Sequence, residues 1–245
     1  MPFTLAHPAA IWPLSRTRLP VAAMVAGSVA PDLPMFASLR GAYGFTHSPL
    51  GAVTADLAMS VLGVAFWFTV LRDPLVDLCP AALRDRFAAS ARYGTREWRL
   101  VVPAAVLGTV THLTWDSFTH DGRWGAAHVT WLHQVHGSHT GASWAQYGSS
   151  AFGLAVVALW AVLVVRRLAR TPRPATVPAL GSRALAVVLA VTVTSGVAAA
   201  ITTAAPGLGH WLAQAAVVGT IMMALGVLVV AGMWQVATHR RTPVA

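Results

Sequence analysis

The chain has 245 residues, 56% of them hydrophobic and only 10% charged, which excludes an ordinary soluble globular domain. Its formal charge of +9 comes from seventeen arginines, with no lysine, against eight acids. The arginines fall in short clusters at the ends of apolar runs, as loop charges do in membrane proteins and not on one folded face, which argues against nucleic-acid binding. The single cysteine, Cys79, rules out an internal disulfide framework.

Met1 to Leu14 is apolar and carries His7. Arg16 and Arg18 then precede the apolar stretch Leu19 to Ala30, which imitates a signal peptide ending at Ser28-Val29-Ala30; Pro31 after the cut and the short apolar core argue against cleavage. Asp32 lies between Pro31 and Pro34, where the backbone is restricted and a turn or capping role is available to it. The polar turn Tyr43 to Pro49, with His47, opens a predicted span from Gly51 to Leu71. Asp56 in the first turns of that span is costly in lipid and should face protein or water.

Arg72 to Arg99 reads as a solvated cytoplasmic connector. Leu100 to Asp116 is the next predicted span, closed by Thr111-His112-Leu113-Thr114-Trp115-Asp116-Ser117-Phe118-Thr119-His120. If the helix continues, His112, Asp116 and His120 recur on one face. An imidazole one turn before a carboxylate is a two-point clamp for a zinc-like ion. His120 to Ser150 holds five histidines among Trp124, Trp131, Trp144 and Tyr147, a composition suited to interfacial packing. Further spans are predicted over Ser150 to Val165, Ala184 to Ala205 and Trp211 to Ala237. No internal repeat or small-residue dimer motif stands out.

These elements predict an all-α, multi-pass transmembrane bundle of five or six spans with a polar centre near one membrane face. All eight acids precede position 122, so carboxylate chemistry belongs to the first half. Residues 1–149 are expected to carry the centre and 150–245 to serve as the anchor. The positive-inside rule places Arg72 to Arg99, Arg166 to Arg183 and Arg240-Arg241, and hence the C-terminus, in the cytoplasm of the cell membrane. It gathers Asp32, His47, His112, Asp116 and His120 near the outer surface. His7 joins them only if residues 19–36 do not fully span, which the sequence leaves open.

The ordered set His7, Pro31-Asp32, Gly44-Phe45-Thr46-His47-Ser48 and His112-Leu113-Thr114-Trp115-Asp116 resembles bacterial membrane-bound metal-dependent hydrolases. The chain looks most like a domain-of-unknown-function family of multi-pass membrane proteins with a Met-Pro-Phe-Thr opening. More distantly, it is similar to zinc-dependent phospholipase C. The likeness covers roughly residues 1 to 125. It implies metal ligation by Asp32, His47, His112 and Asp116, with His7 as a further ligand and His120 as a second-site ligand or proton donor. It also implies a second-site glutamate after the later histidines, where this chain offers only Gln146.

The cofactor expected is zinc or another divalent transition metal, which would lower the pKa of a bound water to about 7. Asp32 or Asp116 would orient that water or act as general base, and His120 or Arg123 would stabilise a leaving phosphate. The expected function is a metal-dependent hydrolase of a lipid-linked ester or phosphoester at the outer membrane surface. Three other readings stand beside it. Haem held by His47 and His112 leaves Asp32 and Asp116 unexplained. A transport pathway asks for polar residues through the full bilayer depth. A non-catalytic structural or accessory membrane protein asks for nothing of the site. Nothing in the sequence sets the oligomeric state.

Overall fold

The computed structural model describes residues 4–37, 39–87, 92–172, 174–177, 180–202 and 207–239. The architecture is helical, with one two-strand hairpin, β1 (Val135–His136) and β2 (His139–Thr140), among the described residues. The main helices are α1 (Val21–Val29), α2 (Pro49–Leu78), α3 (Val101–Thr119), α4 (Gly141–Arg167), α5 (Gly181–Thr202) and α6 (Leu208–His239). Helices α2, α4, α5 and α6 are long and apolar enough to cross a membrane, and Val21–Phe36 forms a shorter apolar run. Arg240 and Arg241, on which the cytoplasmic placement of the C-terminus rests, lie outside the described residues.

The chain divides into two compact units, one of residues 1–65 and 93–167, the other of 66–92 and 168–245. This differs from the expected division at residue 149. Helix α4 belongs with the first half because the N-terminal 3₁₀ segment Thr4–Ile11 lies along it, close enough that a Cβ on Gly153 would come within 2.8 Å of the Ala6 methyl.

In the first unit, α1 and α3 run side by side in the same direction with their backbones touching. A Cβ on Gly27 would sit 2.0 Å from the Ala105 carbonyl oxygen, and one on Gly108 would sit 2.0 Å from that of Met24. Ala23, Ala104 and Ala105 complete this small-residue seam and are fully buried. No dimer motif is needed to explain these residues; they serve a crossing within the chain. The polar buried face of α3, Thr109, His112, Asp116 and Thr119, is thereby turned toward α1 and into the protein. Asp56 in α2 is likewise fully buried.

In the second unit, α5 and α6 pack as a long antiparallel pair on the Arg72–Leu78 end of α2. The stretch from Arg72 is not a solvated connector, because Arg72, Asp77 and Asp85 are buried. The Asp77 carboxylate accepts hydrogen bonds from the backbone N–H of Thr176 (2.7 Å) and Val177 (3.0 Å) and from Trp234 Nε1 (2.8 Å). Asp85 pairs with Arg170 at 3.2 Å. Asp77, at the end of α2, thus ties down α6 and residues 176–177, and Asp85, on the following short helix Ala81–Phe87, holds Arg170.

Three substitutions test this packing by thermal unfolding of the full chain in detergent. Gly108→Leu is expected to destabilise by about 3 kcal/mol or more, since backbone must move, whereas Gly148→Ala, where a Cβ would meet nothing within 4 Å, is expected to be neutral or slightly stabilising. Asp77→Ala is expected to cost roughly 3 kcal/mol by stranding three donors.

Candidate metal centre

Four segments converge where α1 and α3 end. Helix α3 presents His112 and Asp116 one turn apart, both buried. The close crossing with α1 brings the Ser28 carbonyl to 2.8 Å from His112 Nδ1. The 3₁₀ turn Ala30–Asp32, with Pro31 at its start, follows α1 and presents Asp32. The Thr46 hydroxyl donates to the Pro31 carbonyl at 2.8 Å, docking the short helix Tyr43–Thr46 against that turn and placing His47 next in line.

Three of the four ligands are oriented by a neighbour. A carbonyl only accepts, so His112 Nδ1–H donates to Ser28 and His47 Nδ1–H donates to Tyr43 (2.9 Å). Both rings are therefore held with Nε2 toward the centre, as the outer partners of metal-ligating histidines hold them. The Thr4 hydroxyl donates to Asp32 Oδ2 at 2.7 Å and turns Oδ1 inward, where it has no hydrogen-bond partner. Thr4, Ser28 and Tyr43 were not singled out from sequence; for the last two the group at work is a backbone carbonyl, which any residue carries.

The inward atoms form a compact figure. His47 Nε2 lies 3.3 Å from His112 Nε2, 3.5 Å from Asp32 Oδ1 and 3.3 Å from Asp116 Oδ2. His112 Nε2 lies 3.6 Å from Asp32 Oδ1 and 3.5 Å from Asp116 Oδ2. Across the four residues, one ligand atom from each lies within 4.8 Å of all the others. A tetrahedral ion with N and O ligands at 2.0–2.2 Å has edges of about 3.3–3.6 Å. A magnesium-like octahedron would need neighbouring ligands about 2.8–3.0 Å apart. The group can hold a metal ion, and its spacing and mixed donors suit the tetrahedral case.

The other expected site residues lie around this core. His7 is buried and stacks on His112 with ring centroids 3.9 Å apart; its Nε2 stands 3.5 Å from Asp116 Oδ1, and neither ring nitrogen has a hydrogen bond. The helix stops at Thr119, so His120 is not a third helical position. Its extended backbone still puts Nδ1 3.5 Å from Asp116 Oδ1, with the buried Nε2 unpartnered. Arg123 reaches the His47 carbonyl at 3.4 Å and lies 5.7 Å over the Tyr43 ring, which itself packs 3.8 Å from the His47 ring. Gln146 is buried with its Nε2 unpartnered. His128 and His136 stack on Trp124 and Trp131 outside the group.

The electrostatics ask for positive charge. Burial pushes the His47 imidazole down, but the carboxylates of Asp116 and Asp32 outweigh it and carry its pKa up to about 9. Burial, reinforced by His112, pushes His7 down to about 4 against the pull of Asp116 and Asp32, so at neutral pH it is an uncharged ring with free lone-pair capacity. Two carboxylates and two inward lone pairs at these distances repel unless a proton or a cation lies among them.

No curated protein and no solved structure matches the chain. The family model described as a domain of unknown function (DUF4184) matches residues 1–233. That match spans both the helices that build the polar centre and those that follow it, and the chain belongs to this family.

Proposed function

We propose that the protein is a membrane-bound, metal-dependent hydrolase that holds zinc between Asp32, His47, His112 and Asp116 and acts on a lipid-linked phosphoester. The observation that carries this reading is the set of five tetrahedral-edge distances among the four residues, three of which Thr4, Ser28 and Tyr43 hold in orientation. When bound, such an ion supplies Lewis acidity and lowers the pKa of water to about 7.

The chain supplies the rest. Asp116 is shared: Oδ2 faces the four-residue core, while Oδ1 faces His7 and His120. His120 Nε2 has no partner of its own; in the imidazolium form it would hand its proton to a departing alkoxide, Nδ1–H staying on the Asp116 backbone carbonyl 3.2 Å away. Arg123, beside the His47 carbonyl and the Tyr43 ring, is positioned to steady charge on a phosphoryl oxygen. A lipid substrate is supported by an open groove of about 460 Å³ along α3, lined by Val110, Thr114, Trp115 and Phe118. Trp115 also meets the His7 ring edge-on at 5.6 Å.

A second reading, a structural metal site in a non-catalytic membrane protein, is favoured by one observation. All four core residues are buried and each offers an atom to the same point, whereas catalytic zinc keeps a position open. The unpartnered nitrogens of His7 and His120 favour the catalytic reading, because a purely structural site has no use for them.

Metal analysis by inductively coupled plasma mass spectrometry on detergent-purified protein is expected to find near-stoichiometric zinc, lost in His112→Ala and Asp116→Ala. Folded, metal-free wild-type protein would sink both readings. His120→Gln and Arg123→Met separate them. Each is expected to keep the metal and to lower kcat on a phosphodiester panel by about 100-fold or more. Wild-type protein that holds zinc but turns over no ester or phosphoester would leave the structural role standing.

A further inference from the structure

Away from the centre, the first unit contains a second cavity of about 410 Å³, formed where the chain approaches α1 and where α4 ends. Its walls include Trp12, Ser15 and Arg16 from the N-terminal segment and Trp160, Val164 and Arg167 from α4. We propose that this cavity binds the phosphate headgroup of an anionic phospholipid, with Arg16 and Arg167 clamping the phosphate and Trp12 and Trp160 holding the glycerol and first methylenes. The inference is independent of any chemistry at Asp116.

Three observations carry it. The two arginines come from segments some 150 residues apart in sequence and line one cavity, and among the described residues neither side chain makes a hydrogen bond or an ion pair. No carboxylate lines the cavity, and the half of the chain that supplies Arg167 contains none at all. A pair of cations in a recess without a counter-ion is complementary to an anion, and the planar fork of arginine matches phosphate oxygens.

The position along α4 supplies the third. The helix has 27 residues, so it is about 40 Å long and exceeds a hydrocarbon core of about 30 Å by some turns. Its final turn, with Arg166 and Arg167, falls at headgroup depth, and Trp12 and Trp160 are the residue type that settles there. The wall below, Val164 and Leu163, is apolar and continues along a lipid-facing helix. A soluble phosphate compound would use the arginines and leave that wall wet; a phospholipid uses both.

The test is native mass spectrometry of the full-length chain in detergent, titrated with phosphatidylglycerol, with phosphatidylcholine of the same acyl chains, and with inorganic phosphate as competitor. One phosphatidylglycerol is expected to be retained in preference to phosphatidylcholine. The double variant R16Q/R167Q should weaken it about tenfold or more. R16K/R167K should hold it at an affinity between those two, and R18Q/R166Q, which removes the same charge outside the cavity, should leave it unchanged. Helical content and a monodisperse elution profile confirm that each variant is folded. Equal loss in R16Q/R167Q and R18Q/R166Q would overturn the site in favour of a diffuse basic belt. Displacement of the lipid by inorganic phosphate at comparable concentration would overturn the lipid in favour of a soluble phosphate ligand.

Discussion

Two carboxylates cannot share a dry interior without a counter-charge, and this constraint organises the first unit. Asp32 and Asp116 are both about 2% exposed or less, and each directs an oxygen at the same two imidazole nitrogens. The effective penalty for burying even one such ion is several kcal/mol. The surrounding structure does not avoid that penalty by neutralising the acids with arginine. It surrounds them with histidines whose Nδ1 atoms are already committed to carbonyls, so that the remaining positive charge has to come from a proton on Nε2 or from a cation. A proton and a metal ion compete for one position, and the arrangement of the carbonyls decides only that the position exists.

That position depends on backbone contact far more than on side-chain bulk. The glycine seam between α1 and α3 lets Ser28 approach His112; a side chain at Gly27 or Gly108 would hold the two helices apart and leave the imidazole free to rotate. The 3₁₀ turn at Pro31 then needs to be fixed relative to the Tyr43–Thr46 helix, which the Thr46 hydroxyl does by spanning both, donating to Pro31 and lying 3.1 Å from the Tyr43 carbonyl. Asp32 and His47 are thus positioned as a pair by contacts that do not involve α3. Holding ligands on short rigid turns supported by outer hydrogen bonds is how a site reaches the tolerance that metal coordination demands.

The parts of this that could be read from sequence are those with a period or a chemical identity. His112 and Asp116 announced themselves by their spacing inside an apolar run, and the apolar segments announced the helices to within a few residues, although α4 begins at Gly141 rather than Ser150. His47 and Asp32 could be attached to the set by sharing a membrane face. What escaped was carried by atoms common to every residue: the carbonyls of Ser28 and Tyr43, and the absence of a Cβ at Gly27 and Gly108. His120 was half legible. Its helical spacing was the reason to place it near Asp116, yet the helix ends one residue earlier and an extended backbone does the placing.

Asp77 shows why residue type alone could not separate a ligand from an anchor. Like Asp32 it is buried among apolar helices, and like Asp32 it has a hydroxyl-bearing or aromatic neighbour within reach. The difference lies in how many donors converge on it. Asp77 accepts two backbone N–H groups and an indole N–H, a set of neutral donors that satisfies both oxygens and requires no ion. Asp32 accepts one hydroxyl on Oδ2, and its other oxygen faces two nitrogens that, as neutral rings, offer lone pairs instead of hydrogens. A buried carboxylate with all its donors present is a structural tie; one that faces other acceptors is an incomplete coordination shell. In this chain the two kinds fall in different compact units, so the acids that secure the later helices and the acids that form the polar centre impose separate requirements on the fold.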